Sequence, residues 1–242
     1  MSVVASRAVP HRPEIAGIYP IISLLMIAII ALGFWPSYFG LLMGKGVEKE
    51  LFIHVHAFVF VSWMALFVTQ ASFIALGRRA LHRKLGQFVM FYGFLVLVVG
   101  VVTAILRFWT MNADGLVEPA RQFVIWPLLD MVIFAGFFVP AIIYRRQPEI
   151  HKRLMIVATT NLIVAAAFRA VGLATPMTHL IFVLLWLSPI LVAMVHDFVR
   201  RRLVHPVYVI GVAVLTISSF RDAVTSTDVW LAFTQWLAGF SA

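Results

Sequence analysis

Long apolar stretches alternate along the chain with short breaks that contain proline, glycine or clustered charge. A transmembrane helix needs about 20 mostly apolar residues, and seven stretches approach or reach that length. The breaks are too short to hold a folded soluble domain. The pattern therefore predicts one all-α domain over 1–242, a polytopic transmembrane helical bundle of seven spans. The spans are expected at about 17–35, 51–77, 86–109, 122–144, 154–175, 177–199 and 207–221.

The C-terminal segment has a different, amphipathic pattern. Within about 226–240, large apolar residues such as Trp230, Phe233 and Trp236 recur at helical spacing, opposite polar residues. Such a helix suits the headgroup interface of a membrane. The alternative is an eighth helix packed on the bundle.

The composition agrees with an integral membrane protein. Hydrophobic residues make up 62% of the chain and charged residues 12%, whereas a soluble domain is about half apolar and about a quarter charged. The chain has no cysteine, which excludes disulfides, iron–sulfur clusters, thiolate-bound metals and c-type haem. The net charge of +9 comes from short clusters between apolar stretches, which favours anionic lipids and not nucleic acid as the partner.

The basic residues also predict an orientation. Three breaks, at 78–84, 145–153 and 200–205, together hold 11 of the 19 lysine and arginine residues. Basic loops stay on the cytoplasmic side of a membrane. We therefore expect these loops and the N-terminus inside and the C-terminus outside, in a bacterial cytoplasmic (inner) membrane.

Each basic loop repeats paired arginines followed by a histidine, at His82, His151 and His205. The repetition indicates three related helical hairpins. Contact with anionic lipid headgroups accounts for these histidines. The alternative is that they converge on one metal ion, as in three-histidine zinc sites, with the neighbouring His196-Asp197 pair ordering a ligand.

Three motifs follow one another in the middle of the chain. They are His54-x-His56-Ala followed by Trp63 and Gln70, then Leu-His82-Arg-Lys-Leu-Gly86, then Tyr144-Arg-Arg-x-x-Glu149-x-His151-Lys-Arg-Leu-Met155. These motifs resemble those of a widespread bacterial family of multi-pass membrane proteins that has no assigned activity. The second motif also resembles the His-Arg-x-x-Gly loop of b-type cytochrome-like helical bundles. The resemblance covers about 51–205 and implies a helical membrane bundle.

Ionisable side chains inside the spans are candidate functional groups, because charge in hydrocarbon is costly. Residues two apart on a helix point about 200° from each other, so His54 and His56 cannot bind one centre. His56 shares a seven-residue spacing with Trp63 and Gln70, which predicts that it faces the bundle while His54 faces the interface.

A buried ion pair is expected between Asp130 and Arg169. Both lie inside predicted spans at comparable depth, about 10–13 Å from the outer ends at a rise of 1.5 Å per residue. Each charge would be expensive alone. The small residues Ala165, Ala166 and Ala167 predict that the fifth span approaches its neighbours closely.

Three functions remain as alternatives. The first is a scaffold or accessory subunit that packs with a larger membrane complex or with further copies of itself. The second is a redox protein whose b-type haem is held by His56 and His179, with His54 as a weaker candidate ligand and Arg107 and Arg169 beside the propionates. It would carry electrons between a quinone and an outer acceptor. The third is an intramembrane enzyme that uses histidine and aspartate on a lipid-like substrate. Haem and no cofactor are equal alternatives.

Overall fold

The computed structural model describes residues 17–44, 49–172 and 175–240, and every regular element in these ranges is helical. The first helix continues through a π-helical turn, Trp35–Phe39, into a short last segment, Gly40–Gly44. A 3-10 turn, Arg221–Val224, joins the last two helices. The helices are α1 (Ile18–Phe34), α2 (Leu51–Ala75), α3 (Arg79–Ala113), α4 (Val117–Ile143), α5 (Pro148–Leu162), α6 (Val164–Val171), α7 (Pro176–Arg201), α8 (Pro206–Ser218) and α9 (Asp228–Ala238).

The all-helical bundle is confirmed. In the described ranges five or six helices are long and apolar enough to cross a membrane, fewer than the seven spans expected. The five are α1 with its extension to Gly44, α2, α3, α4 and α7. A sixth candidate is α5 together with α6, bent by 45° at Ile163. The expected seventh span forms α8, whose 13 residues cover about 20 Å of a hydrocarbon core about 30 Å thick.

Small residues set the register between the antiparallel helices α3 and α4. A Cβ atom added at Gly93 would overlap the ring of Phe138, and one added at Gly100 would overlap the side chain of Met131. From Gly93 to Gly100 the contact advances seven residues along α3, and from Phe138 to Met131 it goes back seven residues along α4. Glycine lets the α4 side chains sit directly on the α3 backbone, which is how membrane helices gain packing energy without a hydrophobic driving force.

The same device joins α1 to α6. A Cβ atom at Gly33 would overlap the backbone of Ala166, and both Ala166 and Ala167 are fully buried. The close approach expected from the alanine series of the fifth predicted span is present, and its partner is α1.

The C-terminal helix α9 packs on the bundle with one face. Trp230 Nε1 donates to Arg121 O over 3.0 Å, and Trp109 Nε1 donates to Leu237 O over 2.9 Å. Both contacts lie where α3 ends and α4 begins. The other face of α9 exposes Trp236. The amphipathic pattern thus serves a packed helix that keeps an aromatic outer surface.

Candidate functional site

A buried ion pair lies at the centre of α4. Asp130 stands thirteen residues from either end of that helix, and its Oδ1 accepts a hydrogen bond of 2.6 Å from Arg221 Nη1. Arg221 also donates to Ser218 O over 2.6 Å and to Trp126 O over 2.7 Å, and its Cζ lies 4.5 Å from the centre of the Trp126 ring. Several partners thus surround one buried cation, as charge away from water requires.

The expected pairing of Asp130 with Arg169 is not found. The Arg169 guanidinium donates to Ala165 O over 3.1 Å and stacks 4.7 Å over the Phe34 ring. Arg169 lies in the last turn of α6, near the end of the bundle, whereas Asp130 is at mid-helix. The histidine–aspartate acid–base cluster expected for an intramembrane enzyme therefore lacks Asp130, whose charge is held by Arg221.

Side-chain hydrogen bonds join the end of α5, just before the bend, to two other helices, α4 and α7. Asn161 Nδ2 donates to Asp130 O over 2.7 Å. Trp186 Nε1 donates to Thr160 O over 2.9 Å. A helix break frees backbone groups, and in a membrane each freed group needs a partner inside the protein. Asn161 thus connects the bend to the residue that carries the central carboxylate.

A second charged cluster lies at the end of the bundle that carries the basic loops. Arg153 is 1% exposed and its Nη2 lies 2.6 Å from Asp197 Oδ2. Glu149 Oε2 forms ion pairs with Arg153 Nη1 at 2.8 Å and with Arg201 Nη1 at 2.7 Å. The cluster joins α5 to α7. From the sequence Arg153 was one basic residue of an exposed loop; its spacing of four residues from Glu149 was the available sign of a local pair.

The three loop histidines each bond locally. His151 Nδ1 donates to Ala141 O over 2.8 Å, His82 Nδ1 lies 3.3 Å from Gln70 O, and His205 Nδ1 accepts from Val207 N over 3.3 Å. Partial burial, with the nearby Arg153 charge, lowers the pKa of His205. In the ranges that the structure covers, no group of three histidine or acidic side chains is placed to hold a metal ion. The three-histidine metal site is therefore not assembled.

Of the other motif residues of α2, Gln70 joins α2 to α3 and Trp63 packs on two phenylalanine rings of α4. Trp63 and Gln70 are both buried, as their spacing predicts. With the Gln70 amide oriented to satisfy both its ends, Oε1 accepts from Gly86 N over 2.9 Å and Nε2 donates to His82 O over 3.2 Å. The motif thus has a structural use in holding this hairpin closed.

The two expected haem ligands lie on different helices, His56 on α2 and His179 on α7. His56 stacks on Phe60 with ring centres 4.1 Å apart, and its Nδ1 is buried with no hydrogen-bond partner in the described chain. His179 shares a hydrogen bond of 3.3 Å with Ser219 Oγ. No hydrogen bond or ring contact joins the two histidines among the described residues. The remaining candidate, His54, bonds to Tyr38 Oη at 2.8 Å.

A polar pocket of about 520 Å³ opens at the end of α2, α3 and α6, away from the basic loops. Its described lining residues are Lys49, Glu50, Ile53, Arg107 and Arg169. Arg107 Nη1 lies 3.3 Å from Glu50 Oε1. The sequence identified both arginines as candidates but not Lys49 or Glu50, which precede the apolar run of α2.

No protein-family model matches this chain, and no curated protein or solved structure matches it.

Proposed function

We propose that this chain is an integral membrane scaffold or accessory subunit that packs with a larger membrane complex or with further copies of itself. One observation carries this proposal: the most deeply buried charges described pair with one another and join separate elements of the bundle. Asp130 forms an ion pair with Arg221, and Arg153 forms one with Asp197. Charges used in this way fix helix register and leave the outer surface for contacts.

The outer face of α3 offers a surface for such a contact. Five exposed apolar side chains recur at alternating spacings of three and four residues, which is the seam pattern of two packed helices. Lipid tails would cover an apolar face equally well, because one face of any helix shows this spacing, so experiment decides between the two. The five residues are Phe88, Phe91, Leu95, Val98 and Val102.

Site-specific photocrosslinking in intact membranes tests this role. A photoreactive phenylalanine analogue at Phe91 should give one defined protein adduct, identified by mass spectrometry and by the reciprocal crosslink from the partner. The same analogue at Phe123, an exposed aromatic of α4, is the matched control. Adducts with lipid alone at both positions would contradict the proposal, and an adduct with a second copy would identify a homo-oligomer.

The proposal includes a topology with the basic loops in the cytoplasm of a bacterial inner membrane. Lys152 lies 5.3 Å from the ring of Tyr19, so the start of α1 lies beside the second basic loop. Clustered arginines at this end favour the cytoplasmic side. The seven-crossing form of this topology needs the segment after α8 to complete the last crossing, and α9 then lies at the outer surface.

A b-type haem protein is the second candidate. The buried His56 Nδ1, which has no hydrogen-bond partner among the described residues, favours it. That nitrogen could bind iron, and Arg107 and Arg169 could meet propionates in the neighbouring pocket. Haem would supply one-electron transfer. Detergent-purified protein should then show a Soret band and a sharp α-band on reduction, both lost in His56→Ala. His179→Ala should also lose them, because His179 Nδ1 could bind iron while Nε2 keeps its hydrogen bond to Ser219 Oγ. Colourless protein would reject this candidate.

A further inference from the structure

The outer pocket collects positive charge from three separate parts of the chain. Lys49 precedes α2, Arg107 lies in the last two turns of α3 and Arg169 lies in the last turn of α6. Among the described lining residues Glu50 is the one acid, so three positive groups face one negative group. Gathered cations raise the local potential and attract a counter-ion of opposite charge.

Both pocket arginines, Arg107 and Arg169, use only part of their hydrogen-bond donors within the protein. Arg107 contacts Glu50 through Nη1, and Arg169 contacts Ala165 through Nη1. Within the described ranges, Nε and Nη2 of these side chains make no hydrogen bond. The Phe34 ring packs 4.7 Å from Arg169 Cζ and supports that guanidinium plane. A planar fork held in this way matches the oxygen atoms of a phosphate group.

The start of α2 adds to the same potential. Glu50 is the N-cap residue of this helix, and its side chain makes no capping hydrogen bond. Its carboxylate contacts Arg107 instead. The amide groups that open the first turn carry the partial positive charge of the helix dipole, while that of the pocket residue Ile53 donates to Glu50 O over 2.9 Å. Anions bind well at such a helix start when cationic side chains surround it.

We propose that this pocket binds a phosphate group at the membrane surface, either as the head of an anionic amphiphile or as a free phosphate. A phosphomonoester carries about −1.5 to −2 charges at pH 7, which balances the excess of two positive groups in the described lining. The volume of about 520 Å³ lies within the range of small-ligand sites, about 300–1,000 Å³. The proposal rests on the pocket alone and stands whether or not the chain is a scaffold.

Calorimetric titration of the purified full-length protein in a neutral detergent tests the proposal. The probes are inorganic phosphate and dihexanoyl phosphatidic acid, with dihexanoylglycerol as the phosphate-free control. Binding should weaken by about tenfold in Arg169→Gln and in Lys49→Gln, because each loses a charged donor. Arg121→Gln removes a charge of α4 that pairs with Glu118 and is not among the described lining residues, and it should leave binding unchanged.

Glu50→Gln supplies a test with the opposite sign. It removes the one acid of the described lining and releases Arg107, so both probes should bind more tightly. Loss of folding cannot produce tighter binding. Stronger binding of phosphatidic acid than of phosphate would assign a lipid headgroup, and equal binding would assign a free phosphate. Absence of binding by either probe, or binding unchanged in both Arg169→Gln and Glu50→Gln, would overturn the proposal.

Discussion

Arg221 reaches Asp130 at the middle of α4, with 2.6 Å between Nη1 and Oδ1. Asp130 is 7% exposed and Arg221 3% exposed. The pair joins the segment after α8 to the centre of the bundle. It also determines the path of the C-terminal chain, since Asp222 then accepts a 2.6 Å hydrogen bond from Trp126, one turn nearer the start of α4.

Removing one member of this pair should cost more than removing both. Asp130→Asn leaves the Arg221 charge buried without its counter-ion, and Arg221→Gln leaves the carboxylate. Each should lower the free energy of unfolding by about 3–5 kcal/mol. The double variant should recover part of that loss. Unfolding in detergent, followed by tryptophan fluorescence, measures the coupling energy.

Two controls separate this coupling from a general effect of charge removal. The stability losses of Arg169→Gln and Asp130→Asn should simply add in the double variant, because the two side chains do not pair. Glu118→Gln with Arg121→Gln breaks an exposed pair at 3.9 Å and should change stability by less than about 1 kcal/mol. Coupling of Asp130 with Arg169, and none with Arg221, would show that the central pair is assigned to the wrong arginine.

Glycine at position 33 should be necessary for the contact between α1 and α6. In Gly33→Ala the added Cβ meets the backbone of Ala166, which cannot rotate away as a side chain can. The expected loss is about 1–3 kcal/mol, seen as a lower melting temperature in detergent. Gly136→Ala is the matched control, because nothing lies within 4 Å of its Cβ. It should be neutral or stabilise by up to about 1 kcal/mol.

Arginine at position 153 should not be replaceable by lysine. Its Nε and Nη2 both contact Asp197 Oδ2, at 2.8 and 2.6 Å, and Nη1 contacts Glu149 at 2.8 Å. A single ammonium group cannot reproduce this planar arrangement. Arg153→Lys should lower stability by about 1–3 kcal/mol in detergent unfolding. Arg145→Lys, at an exposed position, should have no effect; equal behaviour of the two variants would contradict the role of the fork.

The packing of the bundle was predictable where it depends on local spacing. His56, Trp63 and Gln70 recur every seven residues, and Trp63 and Gln70 are buried. The alanines of the fifth predicted span also mark a close helix contact, because residue size is visible in the sequence. The sequence does not show which helix makes that contact, since this depends on how the helices are arranged.

The partner of Asp130 was not predictable from depth along straight helices. The bend at Ile163 divides the fifth predicted span, so Arg169 lies near the end of the bundle. Arg221 follows a 13-residue helix, too short to carry it across. A constant rise per residue predicts Arg221 at the end of a span. In the structure Arg221 lies beside the middle of α4, and the chain after it continues toward the start of α4. Arg153 was missed for a related reason, because its partner Asp197 lies 44 residues away.

The side of the membrane on which each end lies can be measured by labelling single cysteines, because the chain contains no native cysteine. Asp114→Cys lies between α3 and α4, and Arg146→Cys lies between α4 and α5. Both positions are exposed. A membrane-impermeant maleimide should label Asp114→Cys in intact cells, and Arg146→Cys only after permeabilisation, because the basic loop stays inside. The reverse result would invert the proposed orientation.

Ser226→Cys then decides where the chain after α8 emerges. Trp230 bonds to the backbone of Arg121, close to the start of α4 and to Asp114. Position 226 is exposed and lies just before α9. It should therefore react from outside, together with Asp114→Cys, if α8 and the segment after it complete a seventh crossing. Labelling of Ser226→Cys only after permeabilisation, with Asp114→Cys accessible from outside, would show that the C-terminal segment does not reach the outer surface.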